Sequence, residues 1–74
     1  MPNNYSSAEI VKVLESIGFH FVSQKGSHGK FKDGCSHIVI VPMSKKEIPE
    51  GTLRSILRQA DISLIDFKKH LQNL

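Results

Sequence analysis

The sequence predicts an α+β fold, a three-stranded antiparallel sheet with helices packed on one face. Three observations carry that prediction. Apolar residues recur at helical spacing across residues 6–17. From Phe19 to Pro42 the pattern changes to aromatic and β-branched residues interrupted by two glycine-containing turns. From Thr52 helical spacing returns. The order is α-β-β-β-α-α, and a small sheet buries its apolar face most economically against helices.

The first helix is predicted over residues 6–17. Ser6 and Glu9 have capping-box spacing, which satisfies backbone donors at the helix start. Ile10, Val13, Leu14 and Ile17 form one apolar stripe, and Gly18 is placed to end the helix just beyond its cap. "FHFVSQK" reads as the first strand. Gly26-Ser27 suits a two-residue type II′ turn, which wants glycine at its first central position. "HGKFKD" follows as the second strand, Asp33-Gly34 as another two-residue turn, and "SHIVIVP" as the third strand. Pro42 ends it, because proline lacks the ladder donor. "MSKKEIPEG" is a loop. A second helix from Thr52 carries Leu53, Ile56, Leu57 and Ala60 on one face. After Asp61 and Ile62, Ser63 and Asp66 form a capping pair for a short last helix whose apolar face is Leu64, Phe67 and Leu71.

Strand alternation then places side chains. With Phe31 facing the core, His28, Lys30 and Lys32 share the opposite face. A two-residue Asp33-Gly34 turn sets Lys30 opposite His37 and Phe31 opposite Ser36. That register turns Ile38 and Ile40 inward and leaves Val39 and Val41 outward on an edge strand, where a partner protein or the last helix would meet them. In the first strand a two-residue turn pairs Val22 with Phe31 and turns Phe19 and Phe21 outward; a longer turn or a bulge reverses this.

At 74 residues the chain is expected to be one domain, residues 1–74, and a chain of that size buries only about 60% of its unfolded surface. The single cysteine, Cys35, excludes an intrachain disulfide, and no Cys/His spacing suggests zinc. "MPNNYSS" has no export-signal pattern, and the longest apolar run, "IVIVPM", is too short to span a bilayer. A soluble cytoplasmic protein without a cofactor is expected. The net charge is +3, a modest excess with an uneven distribution. Between residues 25 and 46 there are five lysines, Lys25, Lys30, Lys32, Lys45 and Lys46, against one acid, Asp33. Such a patch either keeps a surface solvated or meets a polyanion such as nucleic acid.

The stretch "QKGSHGKF" concentrates the candidate chemistry. Histidine titrates near neutrality by type, so His28 beside a turn is either an ordinary surface residue or a proton-transfer group. Gly26 allows close backbone approach and leaves an N–H to face an anion, and Ser27 adds a hydroxyl. Lys25 and Lys30 lie close enough to hold a phosphate. His37 would join His28 if the register above holds. Arg54 and Arg58, at i and i+4, form either a solvated helix face or a contact for phosphate or an acidic partner.

Three segments, "IVKVLESIGF", "QKGSHGKF" and "VPMSKKEIPEGTLRSILRQADIS", resemble the HicA family of toxin–antitoxin toxins, over residues 6–67. The specific parts are K-G-S-H followed by an aromatic and the helix G-T-L-R-S-I-L-R-Q-A. The resemblance implies a dsRBD-like fold, an mRNA interferase activity and a HicB-type antitoxin partner. It implies that His28 is catalytic, with Gly26 and Ser27 in its motif. Two departures stand out. Gly29 occupies the place of a second histidine, and Met43 and Ser44 follow Pro42 where a further histidine often stands.

Three function classes follow. The first is metal-independent RNA cleavage, with His28 taking the proton of a ribose 2′-OH and Lys25, Lys30, Lys45 and Lys46 binding phosphate. The second is a non-catalytic RNA-binding module. The third is a protein-interaction domain using the Val39/Val41 edge and Arg54/Arg58.

Overall fold

The computed structural model describes residues 4–74. The reading of the N-terminus as free of an export signal lies partly on residues 1–3, outside the described residues. Helix α1 (Ser7–Ser16) is followed by β1 (His20–Lys25), β2 (His28–Lys32), β3 (Ile38–Pro42), α2 (Glu50–Ala60) and α3 (Leu64–Gln72). The strands form one antiparallel sheet in the order β1-β2-β3. This is the α+β, dsRBD-like arrangement expected, with α3 as the extra C-terminal helix.

The local signals for α1 act as the sequence predicts. The Ser6 hydroxyl accepts from the Glu9 N–H and the Glu9 carboxylate accepts from the Ser6 N–H, a complete capping box. Gly18 has φ +105°, a conformation that costs glycine little, and the Phe19 N–H reaches back to the Leu14 carbonyl. Helix α2 starts at Glu50, two residues before the predicted Thr52, and ends on Asp61 in the left-handed region. The Ser63 hydroxyl caps α3 by accepting from the Asp66 N–H.

One apolar cluster holds the layers together. Ile10, Val13 and Leu14 of α1, Phe31, Val39 and Val41 of the sheet, Leu53, Ile56 and Leu57 of α2, and Phe67 of α3 are all buried in it. Tyr5 meets the Phe67 ring edge-on at 5.0 Å between centroids.

The third strand departs from expectation. Its connection to β2 is a loop over residues 33–37, not a two-residue turn. The Asp33 carboxylate organises that loop by accepting from the Cys35 N–H at 3.0 Å and the His37 N–H at 2.7 Å. The loop is three residues longer than predicted, an odd number, so every β3 side chain changes face. Phe31 lies opposite Val39 and Lys30 opposite Ile40. Val39 and Val41 are fully buried, while Ile38 and Ile40 are 45% and 39% exposed. The outward Val39/Val41 edge expected to meet a partner therefore does not exist.

The first strand combines both alternatives open in the sequence. The Gly26-Ser27 turn has two residues, and positive φ at Gly26 (+60°) but not at Ser27 is the type II′ pattern. A bulge between Phe21 and Ser23 then shifts the register. Phe21 thus pairs with Phe31 and meets its ring edge-on, at the margin of the core.

The two sheet edges differ. Helix α2 closes the β3 edge, where the Ile40 N–H donates to Gln59 Oε1 at 2.9 Å. The six residues of β1 are all exposed. Among the described residues, no helix is long and apolar enough to cross a membrane.

Candidate active site

The sheet face turned away from the core is built in three rows by the strand register. The first is Lys25–His28–Pro42, the second Ser23–Lys30–Ile40 and the third His20–Lys32–Ile38. Paired positions on neighbouring strands lie about 4.5–5.5 Å apart and successive rows about 7 Å apart, so Lys25 and Lys30 flank His28 closely. Three lysines and two histidines share these positions, and no acid does. With nothing to neutralise it, the face carries a positive field.

His28 stands at the end of the β1–β2 hairpin, and the turn beside it is braced twice. Gln24 Nε2 donates to the Gly26 carbonyl at 3.0 Å, and the Met43 N–H donates to the Ser27 carbonyl at 2.6 Å. The backbone under His28 is thus held on both sides while its ring stays exposed. Gly26 and Ser27 are exposed at the turn itself.

Lys45 and Lys46 sit on the loop after Pro42, outside the strand rows, and both are exposed. The buried Ser7 fixes the loop at Lys45. Its N–H donates to the Lys45 carbonyl, its hydroxyl accepts from the Lys45 N–H, and the same hydroxyl donates to the Pro42 carbonyl. The loop that carries these lysines therefore starts from the residue paired with His28 and is tied to the start of α1.

His37 does not join His28. The longer loop places it beyond the opposite end of β2, where its Nδ1 pairs with the Asp33 carboxylate at 2.8 Å. Partial desolvation pushes the Asp33 carboxyl up, but this is outweighed by the His37 backbone N–H, the His37 ring and the Cys35 N–H. The carboxyl is held below its ordinary value of 3.8. Cys35 is exposed in the same loop. Arg54 is paired in solvent with Glu50 at 2.7 Å.

Gly29, the position after His28, is buried and faces the core. A Cβ placed there would meet Met43 Sδ at 2.9 Å and the Phe31 ring at 3.3 Å. A side chain at this position would point away from His28 and the lysines, so its replacement by glycine removes nothing from the open face.

An open groove of about 400 Å³ runs between His28 and α2. Ile40 and Pro42 line its sheet side, and Thr52, Ser55 and Gln59 line its helix side. The sequence reading passed over these three α2 residues. Their spacing, i, i+3 and i+7, marks a neutral polar stripe beside the apolar one. Arg54 and Arg58 lie on a separate, charged stripe of the same helix. Among the described residues no three His, Cys, Asp or Glu side chains come together as metal ligands.

Residues 7–62 match the family model described as HicA toxin of bacterial toxin-antitoxin. The chain belongs to the HicA toxin family. Its place is therefore as the toxin of a toxin–antitoxin system, which implies an antitoxin partner. The match spans α1, the sheet and α2, and so includes His28, the lysines and the whole groove. No curated protein matches the chain.

Proposed function

We propose that this HicA-family chain is a metal-independent endoribonuclease that cleaves mRNA, with His28 as its catalytic residue. The observation that carries the reading is the placement of His28. It is an exposed histidine beside a braced turn, flanked by Lys25 and Lys30, on a sheet face without acids.

In this reading the His28 imidazole takes the proton from a ribose 2′-OH. The oxygen attacks the adjacent phosphorus, the bond to O5′ breaks, and a 2′,3′-cyclic phosphate and a 5′-OH result. Lys25 and Lys30 hold the phosphate and offset the charge that builds on its oxygens. Lys45 and Lys46 bind neighbouring phosphates from the loop. Gly26 and Ser27 let the RNA backbone come close to the turn. The leaving oxygen takes its proton from water, since His20 lies two rows from His28 and His37 lies beyond the opposite end of β2. A HicB-type antitoxin would silence the chain by covering this face.

The test compares growth arrest on expression of the parent and of His28→Ala, together with RNA cleavage by both purified proteins in chelator. Parent-only arrest, with cleavage that persists in chelator, is the expected result. Equal toxicity of the variant would remove His28 from its role, and loss of cleavage in chelator would remove the metal-free mechanism. RNA binding that is equal in both proteins, with cleavage by neither, would leave only a binding module.

A further inference from the structure

The groove beside His28 has a composition unlike the lysine-bearing rows. Apart from His28 it is lined by no ionisable side chain: Ile40 and Pro42 lie on one side, and Thr52, Ser55 and Gln59 on the other. Its volume, about 400 Å³, falls in the range of small-ligand sites, ~300–1,000 Å³. A neutral groove next to a cationic strip is complementary to a nucleotide. The phosphate is met by Lys25 and Lys30, and the uncharged base by the groove. The half-exposed Ile40 and Pro42 give the flat apolar contact that an unstacked base accepts.

Gln59 supplies the polar element, and its orientation is determined. The Ile40 backbone N–H donates to its side-chain amide at 2.9 Å. A backbone N–H can only donate, so the amide oxygen faces the strand and the Nε2 donors are left for another partner. No carboxylate lines the groove to take them up.

We infer that the groove is a nucleobase subsite for single-stranded RNA, in which Gln59 Nε2 donates to an acceptor on the base that flanks the phosphate facing His28. The inference rests on the reading of this face as the RNA-cleaving site. It makes Gln59 a specificity residue, and Thr52 and Ser55 the hydroxyls that border the same base.

Gln59→Glu is the sharpest variant. Its carboxylate still accepts from the Ile40 N–H, so the helix-to-strand contact is kept while the donor is lost. The added charge slows all sequences alike, so the readout is the ratio between bases, not the rate. A randomised single-stranded RNA is cleaved by parent and variant, and the cut sites are sequenced. The parent is expected to show roughly a tenfold preference at one position flanking the cut, the size of one hydrogen bond. In Gln59→Glu that preference flattens to within about twofold or moves to bases that present an amine. No preference in the parent, or an unchanged one in the variant, overturns the inference.

A second arm is independent of cleavage. Short RNAs made uncleavable by 2′-deoxy substitution are titrated into the ¹⁵N-labelled parent protein, and the Gln59 side-chain amide signals are followed. Their movement supports the subsite even if the protein cleaves nothing. Movement of lysine-row signals alone overturns the subsite and leaves the cleavage reading standing.

Discussion

A histidine stands at each end of β2, His28 as its first residue and His37 as the last residue of the loop that follows it, and the molecule treats them oppositely. At one end a two-residue turn is held by backbone conformation at Gly26 and by bonds to backbone carbonyls, and the His28 ring is left exposed. At the other, a loop over residues 33–37 is held by the Asp33 side chain, which takes up the ring of His37 as well as its N–H. The His37 ring is engaged by a carboxylate at the far end of β2 from the lysine-bearing turn, whereas the His28 ring is left open beside Lys25 and Lys30. The contrast separates two residues that look alike in the sequence.

The largest expected effect tests this contrast directly. His28→Ala should lower the initial rate of RNA cleavage about 10²–10⁴-fold, the usual worth of a positioned acid–base group. His37→Ala should leave that rate within about threefold on the same principle. Equal losses in the two variants would erase the distinction.

Next in size is the orientation of position 29, where a second histidine would point into the core. Gly29→His should destabilise the fold by about 1–3 kcal/mol through overpacking against Met43 and Phe31, read from urea unfolding. Gly29→Ala should cost less, because Met43 can yield. A stable Gly29→His variant would mean that the strand presents this position differently.

The lysines give a smaller effect that grows with each charge removed. Lys25→Ala and Lys30→Ala should each weaken single-stranded RNA binding and lower the slope of log affinity against log salt by about 0.7. Affinity measured over a salt series checks this, and an unchanged slope would take the residue off the phosphate.

The smallest effect is at the Asp33 end. A carboxyl held below 3.8 stabilises the fold above that pH, and the contribution is lost as pH falls through its folded-state value. Asp33→Asn should therefore flatten the acid side of the stability–pH profile, seen by thermal unfolding, without altering cleavage near neutrality. An acid limb identical to the parent's would show that the loop's charge does not contribute.

The helices and the first turn were legible because their signals are local. Ser6 and Glu9 cap α1 across three residues, and Gly26 takes the one backbone conformation its turn requires. The face of His28, Lys30 and Lys32 followed from alternation alone. The β3 register was not legible. Asp33-Gly34 has the residues of a tight turn, but Asp33 instead binds amides two and four residues ahead and draws out a longer loop. That single choice reversed Val39 and Ile40. The bulge in β1 was beyond reach for the same kind of reason, since it depends on how Phe21 settles against Phe31 across the sheet. The groove was hidden because it needs α2 and β3 together. Neither element announces that Gln59 will meet the Ile40 N–H.

The Ser7 bonds to Lys45 and Pro42 have a consequence for the order of events in folding. They join residues as many as 38 positions apart, and contacts of long sequence separation form late, because loop closure must come first. The lysine loop therefore takes its shape only after the strands have been drawn against the first helix. A chain still emerging from the ribosome would hold His28 before it holds the loop, and the full set of exposed lysines would come together only after the loop itself had emerged and docked on the first helix.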